Sequence, residues 1–296
     1  MSRKIIKAWI EAMRLRTLPV SLAGVVTAAA YAVVYAGASG VRWMPVTLCF
    51  IFALLCQIAS NFANEYYDFR AGFDRRGREG PRRGVTEGDI TPRSMKLATY
   101  LTLAAGCLTG VALTLWGGLW LIAIGVVVVV GVVAYSAGPY PLSHHGLGEV
   151  AVVFFFGIIP VCLTFYLATG VLYDPTVALG SLAVGLMGAN VLVVNNYRDR
   201  EDDAAVGKKT LAVVFGRGAM QALYLINGLI AAALVMPVWG GLPGGTAVPL
   251  CYVALVLVLF FRLRSLRGAA LNPLLGQTAV SMALYAIAFL VCALLS

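Results

Sequence analysis

Nine apolar stretches, each about as long as a membrane-spanning helix, constrain the fold of this chain more than any other feature. A spanning helix needs about 20 consecutive, mostly apolar residues. Hydrophobic residues make up 60% of the 296 residues and charged residues 12%, whereas soluble domains have about 45–50% and about 25%. Because lipid offers no hydrogen-bond partner to backbone groups, we expect an all-α, polytopic membrane protein. The predicted spans are 17–37, 43–64, 94–116, 119–137, 149–170, 175–196, 218–238, 246–262 and 276–295.

We expect these spans to form a single transmembrane domain over residues 1–296. Residues 1–16 combine basic and apolar side chains, a pattern typical of an amphipathic helix that lies on the membrane surface. The six cysteines fall inside apolar runs and lack the spacing of metal ligands or of a disulfide framework. They are therefore expected to pack among the helices.

Basic residues are distributed unevenly among the segments between the spans. With nine spans, every Lys and Arg except Arg42 falls on one side of the membrane. The positive-inside rule assigns that side to the cytoplasm of a cell (inner) membrane. The N-terminus and two polar loops, 65–96 and 197–217, are then cytoplasmic, and the C-terminus lies outside. The net charge of +9 reflects this topology, suits a surface of anionic membrane lipid, and indicates no nucleic-acid partner.

Two short motifs of asparagine and aspartate end the second and the sixth predicted span, both on the cytoplasmic side. Residues 64–68 read NEYYD and residues 195–199 read NNYRD, so each has Asn and Asp four positions apart. On a helix this spacing places both side chains on one face, and a further aspartate follows each motif. We therefore predict one shared site with the oxygen ligands Asn64, Asp68, Asp74, Asn195, Asp199 and Asp203.

The residue types in these motifs favour Mg²⁺ bound together with a phosphate group. Mg²⁺ prefers oxygen ligands, and proteins commonly hold it with one or two carboxylates plus substrate phosphates. At the membrane boundary such a site suits the head of a lipid diphosphate, whose tail would lie between helices lined by aromatic residues such as Tyr135. Basic side chains that can neutralise phosphate surround the motifs. They are Arg70, Arg75, Arg76, Arg78, Arg82, Arg83, Arg198, Lys208 and Lys209.

The two motifs resemble the Asp-rich motifs of the UbiA superfamily of intramembrane aromatic prenyltransferases, and the resemblance covers nearly the whole chain. That family has nine transmembrane helices, with its motifs after helices 2 and 6. Residues 80–95, GPRRGVTEGDITPRSM, and residues 146–157, GLGEVAVVFFFG, are similar to the 1,4-dihydroxy-2-naphthoate prenyltransferases of menaquinone biosynthesis. The five residues between Asp68 and Asp74 also match that group, whereas 4-hydroxybenzoate prenyltransferases usually have three.

The resemblance implies transfer of a polyprenyl chain from an allylic polyprenyl diphosphate to 1,4-dihydroxy-2-naphthoate. Loss of CO₂ and diphosphate would give demethylmenaquinol. The implied cofactor is Mg²⁺, as two ions held by the six motif residues. The residues expected to bind diphosphate are Asn64, Arg70, Arg198 and Lys208. Those expected to serve catalysis are Asp68, Asp199, Arg82, Arg83, Lys209 and Tyr135, with Tyr135 facing the allylic cation. The resemblance implies neither a prenyl chain length nor an oligomeric state.

Two other functions fit parts of the pattern. A member of the same superfamily could use another acceptor, such as 4-hydroxybenzoate or homogentisate. A secondary transporter, a different class of protein, would bind a coupling ion through intramembrane carboxylates, usually near the bilayer midplane. Because both motifs lie at one face of the membrane, the pattern favours the enzyme.

Overall fold

A computed structural model describes residues 3–77 and 79–296, and all regular secondary structure in these ranges is helical. The prediction of an all-α protein is therefore confirmed. Three short 3₁₀ turns, at Leu15–Thr17, Leu142–His144 and Gly268–Leu271, and a π-helical turn at Val153–Ile158 interrupt or join the α-helices. The α-helices are α1 Arg3–Met13, α2 Leu18–Gly40, α3 Trp43–Arg70, α4 Pro92–Gly117, α5 Leu121–Ala134, α6 Gly148–Val152, α7 Ile159–Thr169, α8 Pro175–Ala205, α9 Leu211–Trp239, α10 Ala247–Ser265 and α11 Asn272–Leu294.

The nine predicted spans correspond to nine helical segments, of which eight in the described ranges are long and apolar enough to cross a membrane. The ninth, α5, has 14 residues and is shorter than a full span. Gly118, with φ 86°, ends α4 directly before it, and the Gly138-Pro139 pair follows soon after its last turn. The predicted count of nine is therefore approximate.

The N-terminal segment folds as a separate helix against the end of α3. In α1, Ala8 and Ala12 are buried, and the ring centroids of Trp9 and Phe62 lie 5.5 Å apart. Ile6 and Ile10 stay exposed. One face of α1 thus packs on the protein and another is exposed, and the location of this helix at a membrane surface stays a prediction.

α8 lies at the centre of the bundle and contacts α2, α9, α11 and the segment that contains α6, the π-helical turn and α7. The backbones of α8 and the π-helical turn approach closely at Gly157, where an added Cβ would lie 2.5 Å from both Ser181 O and Gly185 Cα. Only glycine fits so close to another backbone. Asp174 begins α8 by accepting hydrogen bonds from the backbone N–H groups of Thr176 and Val177.

The two motif segments are helical further than the sequence predicts. α3 continues to Arg70 and α8 to Ala205, so the loops assigned to 65–96 and 197–217 start several residues later. The apolar run sets where a helix leaves the lipid, but the backbone hydrogen bonds continue into the polar end. As a result, Asp68, Asp199 and Asp203 project from rigid helices.

Candidate active site

The polar ends of α3 and α8 face a common cavity of about 160 Å³. The first motif contributes to one wall and the second motif to another, as the matching topological positions predict. Three basic side chains, one tyrosine and several amide and hydroxyl side chains add to the polar lining. The predicted site residues that line this cavity are Asn64, Asp68, Arg83, Tyr135, Asn195, Asp199, Asp203 and Lys208.

Asp68 is a buried carboxylate of the site, with a side chain that is 2% exposed. Lys208 Nζ lies 3.0 Å from Oδ2, and His144 Nε2 lies 3.1 Å from Oδ1. Asn64 Nδ2 donates to Oδ2 at 3.3 Å, which confirms that the four-residue spacing places Asn64 and Asp68 on one face. Three groups from different segments therefore orient this carboxylate.

The amide of Asn64 links the first motif to basic residues on two other segments. Its Oδ1 accepts hydrogen bonds from Arg83 Nη2, at 3.2 Å, and from Arg14 Nη2. Its Nδ2 also donates to Ser136 Oγ at 3.0 Å. Asn64 thus gathers two guanidinium groups at the cavity wall, where a phosphate or carboxylate can meet them.

The second motif is built around Arg198, which is buried. Its Nε and Nη2 donate to the two oxygens of Asp199 at 2.7 and 2.8 Å, in the bidentate geometry that guanidinium favours. Nη2 also donates to Asn195 Oδ1 at 2.8 Å, and Nη1 donates to Asn272 Oδ1 at 2.9 Å. Arg198 does not line the cavity, so the structure places it as a positioning residue for Asp199 rather than at the diphosphate.

Lys208 connects the two motifs. Its ammonium lies 3.0 Å from Asp68 Oδ2 and 3.8 Å from Asp203 Oδ1, and the side chain is 10% exposed. The cation follows the end of α8 and sits between a carboxylate of each motif. Lys208 therefore links the carboxylate of the first motif to the aspartate that follows the second motif.

Asp74 lies behind the cavity wall rather than in it. The carboxylate is buried, and Arg83 Nε lies 3.6 Å from its Oδ2. Arg83 thereby joins Asp74 to Asn64 at the wall. Asp74 is thus placed to orient Arg83, and direct binding of the metal by Asp74 stays a prediction.

Three predicted basic residues point away from the cavity. Arg82 is ion-paired with Asp89 and lies 3.7 Å from Glu11 of α1. Arg70 and Lys209 are exposed at the surface. None of the three lines the cavity. Arg78, also among the basic residues predicted to surround the site, lies outside the described residues.

Sequence reasoning missed two contributors, Arg14 and His144. Arg14 lines the cavity and has φ 52°, so it turns the chain sharply between α1 and α2. His144 is buried in the segment between α5 and α6 and contacts Asp68. A basic residue just before the first span was the one available signal for Arg14. No spacing in the sequence links His144 to Asp68.

The donor set fits Mg²⁺ shared with a phosphate ligand. Within residues 3–77 and 79–296, no group of three or more His, Cys, Asp and Glu side chains gathers around one point. A closed protein cage is therefore not built among them. Three carboxylates and five side-chain amides, those of Asn64 and Asn195 among them, line the cavity. One or two carboxylates plus phosphate oxygens suffice for this ion.

A second, larger cavity of about 370 Å³ adjoins the polar one and is almost wholly apolar. Residues of α3, α4, α5 and α7 line it, including four valines of α5, Val128, Val129, Val130 and Val132. Gln57, Ser60, Tyr135 and Phe156 line both cavities. The two spaces therefore meet at these four residues, and a molecule with a charged head and an apolar tail can occupy both.

Comparison with known proteins agrees with this arrangement. The model of the UbiA prenyltransferase family matches residues 24–274. The chain belongs to the UbiA prenyltransferase family. The resemblance predicted from the two motifs is thereby confirmed.

Two bacterial relatives carry the same name and align along most of the chain. The 1,4-dihydroxy-2-naphthoate octaprenyltransferase of Mycobacterium tuberculosis is 37% identical over 95% of this chain and 94% of the relative. The protein of that name from Escherichia coli is 32% identical over 92% of this chain and 90% of the relative. Both family members span nearly the same length as this protein.

A solved structure shows the same fold. The UbiA homologue from Archaeoglobus fulgidus, bound to GPP and Mg²⁺, superposes with a TM-score of 0.64 over 96% of this chain and 99% of that chain. The sequence identity is 16%, so this likeness concerns the fold alone. It places the helical bundle of this protein among the UbiA structures.

Proposed function

We propose that this protein transfers a polyprenyl chain from an allylic polyprenyl diphosphate to 1,4-dihydroxy-2-naphthoate, releasing CO₂ and diphosphate and forming demethylmenaquinol. The observation that carries the proposal is the pair of joined cavities, one lined by both Asp motifs and one apolar. The names of the two bacterial relatives support dihydroxynaphthoate as the acceptor.

Mg²⁺ is the proposed cofactor, as two ions. Asn64, Asp68, Asn195, Asp199 and Asp203 would hold it together with the diphosphate, since these side chains offer oxygen atoms to one cavity. Bound Mg²⁺ would neutralise the negative charge that develops on the leaving diphosphate. The Mg²⁺ bound to the Archaeoglobus fulgidus homologue is consistent with this proposal.

The basic residues of the cavity stabilise the leaving group. As the allylic C–O bond breaks, its electron pair stays on the diphosphate, and Lys208, Arg83 and Arg14 offer cationic donors to those oxygens. Lys208 is held between two carboxylates, so it is in place before the substrate binds. Preorganised charge of this kind costs no reorganisation during the reaction.

The allylic cation forms at the junction of the two cavities, where Tyr135 can face it. A ring carbon of the naphthoate supplies the electron pair for the new C–C bond. The carboxylate then leaves as CO₂, and the pair of the broken C–C bond returns to the ring. The apolar walls hold the tail and keep water from the cation.

We also propose that the protein lies in the cell (inner) membrane with its N-terminus and active site at the cytoplasm and its C-terminus outside. The segregation of Lys and Arg supports this orientation. The prenyl diphosphate then reaches the site from the membrane lipid, and the naphthoate reaches it from the cytoplasm.

The proposal is tested by offering the purified protein one prenyl diphosphate, Mg²⁺ and three acceptors, dihydroxynaphthoate, 4-hydroxybenzoate and homogentisate, singly and in competition. Mass spectrometry identifies each product. We expect a single main product whose mass corresponds to prenylated naphthoquinol without the carboxyl group. Preferential prenylation of either of the other acceptors would refute the proposed acceptor.

A further inference from the structure

The junction between the two cavities is where the bond must form, if the proposed function is correct. The diphosphate belongs in the polar cavity and the hydrocarbon tail in the apolar one, so the carbon between them lies beside the four residues that line both. The aromatic acceptor has to bring a ring carbon to this same place. Its polar groups must therefore find partners at the junction.

A chain of hydrogen bonds fixes the orientation of one junction residue, Gln57. Asn61 Nδ2 lies 2.9 Å from the backbone oxygen of Met13. A carbonyl oxygen can only accept, so the Asn61 amide donates there and turns its Oδ1 to the other side. Gln57 Nε2 donates to that Oδ1 at 3.3 Å. The amino group of Gln57 is thereby turned toward Asn61, and its Oε1 is turned away from Asn61.

Gln57 Oε1 is buried and accepts no hydrogen bond from the described part of the chain. The residue as a whole is 9% exposed. Buried side-chain oxygens in folded proteins are nearly always hydrogen-bonded, and an orphaned one requires an explanation. Here the orphaned oxygen belongs to a residue that lines both cavities, which points to a ligand as its missing partner.

We propose that Gln57 binds the aromatic acceptor, with Oε1 accepting a hydrogen bond from a ring hydroxyl of dihydroxynaphthoate. An amide oxygen can only accept, so it suits a hydroxyl donor and repels the oxygens of a diphosphate or a carboxylate. The acceptor is thereby oriented with a hydroxyl toward Gln57 and its carboxylate toward the cationic groups of the polar cavity. Gln57 takes no proton in the reaction.

The hydrogen bond also assists the chemistry of the acceptor. Polarisation of the O–H bond toward Oε1 increases electron density on the ring, which then attacks the allylic cation more readily. Gln57 is thus a substrate-binding residue whose effect should be confined to the acceptor.

The test compares Gln57→Leu with Gln57→Met and with the control Gln221→Leu. Gln221 bonds Tyr197 at 2.9 Å, away from both cavities, and makes the same chemical change elsewhere. We expect Gln57→Leu and Gln57→Met to lower kcat/KM for dihydroxynaphthoate about tenfold, as loss of one neutral hydrogen bond does. The KM of the prenyl diphosphate and the Mg²⁺ concentration for half activity should stay within about twofold of wild type, because substitutions that break no contact usually have effects of that size or smaller.

A second measurement identifies the hydroxyl. The inhibition constants of 1-hydroxy-2-naphthoate and 4-hydroxy-2-naphthoate are measured against dihydroxynaphthoate in wild type and in the Gln57 variants. Wild type should discriminate about tenfold between the two analogues, and a Gln57 variant should bind both alike. The difference between the two analogues, compared in wild type and in the variant, then assigns the lost binding energy to one contact, as in a double-mutant cycle.

Two outcomes would overturn this inference. One is a Gln57 variant with wild-type kcat/KM for the acceptor; the other is a loss confined to the prenyl diphosphate or to Mg²⁺, which would make Gln57 a donor or metal residue. Gln57→Met serves if Gln57→Leu does not fold. Failure of the proposed function is seen separately, because wild type itself would then leave dihydroxynaphthoate unprenylated.

Discussion

Lys208→Met should destabilise the protein more than any substitution at the adjacent Lys209. The ammonium of Lys208 lies 3.0 Å from Asp68 and 3.8 Å from Asp203 and is 10% exposed. At an effective dielectric constant of about 20, these attractions amount to roughly 5 and roughly 4 kcal/mol. Burial of the charges offsets much of this gain, and breaking a buried pair typically costs about 3–5 kcal/mol.

We expect a net loss of about 3 kcal/mol in the free energy of unfolding, at the lower end of that range, because Asp68 keeps its contacts with His144 and Asn64. For a chain of this size that corresponds to a fall in Tm of roughly 6–10 °C. Thermal unfolding of the purified protein in detergent, followed by intrinsic fluorescence, measures this shift.

Lys209→Met is the matched control, since it removes the same charge from an exposed side chain one residue away. Its Tm should stay within about 2 °C of wild type, as for most surface substitutions. Mg²⁺ should raise the Tm of Lys208→Met more than that of wild type, because the two carboxylates are left without their shared cation. Equal melting temperatures for the two variants would show that the ion pairs of Lys208 do not stabilise the folded protein.

Three further predictions concern other parts of the structure. Arg198→Lys should lower kcat/KM for the prenyl diphosphate about tenfold to hundredfold, because lysine cannot reproduce the bidentate contact with Asp199; steady-state kinetics checks this. Hydrogen bonds from Lys4, and secondly from Arg82, hold the pKa of Asp89 below its usual range. The docking of α1 should therefore persist above pH 5 and weaken only as the pH falls toward and below about 4, and quenching of Trp fluorescence measures this undocking. Gly125→Phe, where an added Cβ meets nothing within 4 Å, should narrow the apolar cavity and favour short prenyl diphosphates, as product analysis would show.

The helices and the two motifs were predictable because each depends on a local pattern. Apolar runs of about 20 residues mark the spans, and the four-residue spacing places Asn64 beside Asp68 on one helix face. The equivalent positions of the two motifs at cytoplasmic helix ends also predicted that they would face one cavity, and they do. These inferences need no knowledge of how the helices rotate against each other.

The direction of individual basic side chains was not predictable. Arg82 and Arg83 are neighbours, yet Arg82 pairs with Asp89 while Arg83 reaches Asn64. Lys208 and Lys209 divide in the same way between the cavity and the surface. Outside regular helices no periodicity assigns a side chain to a face, so the path of the loop decides which residue enters the site.

The role of Gln57 was hidden for a different reason. A glutamine within an apolar run is typically a packed residue whose amide is hydrogen-bonded to its neighbours. The amino group of Gln57 is bonded in this way to Asn61. Only the hydrogen bond from Asn61 to the backbone oxygen of Met13 shows that Gln57 Oε1 is the atom without a partner among the described residues. Such information lies in contacts between segments far apart in the sequence.

We infer that both motifs together bind the diphosphate and its Mg²⁺, and binding of a non-reactive prenyl thiolodiphosphate tests this inference. Calorimetry with and without Mg²⁺ is performed on wild type, Asp68→Ala, Asp199→Ala and the double variant, each first shown to be folded. We predict that either single substitution removes the Mg²⁺-dependent part of the affinity and that the double variant loses little more. Wild-type Mg²⁺-dependent affinity in either single variant would show that the two motifs do not bind the diphosphate together.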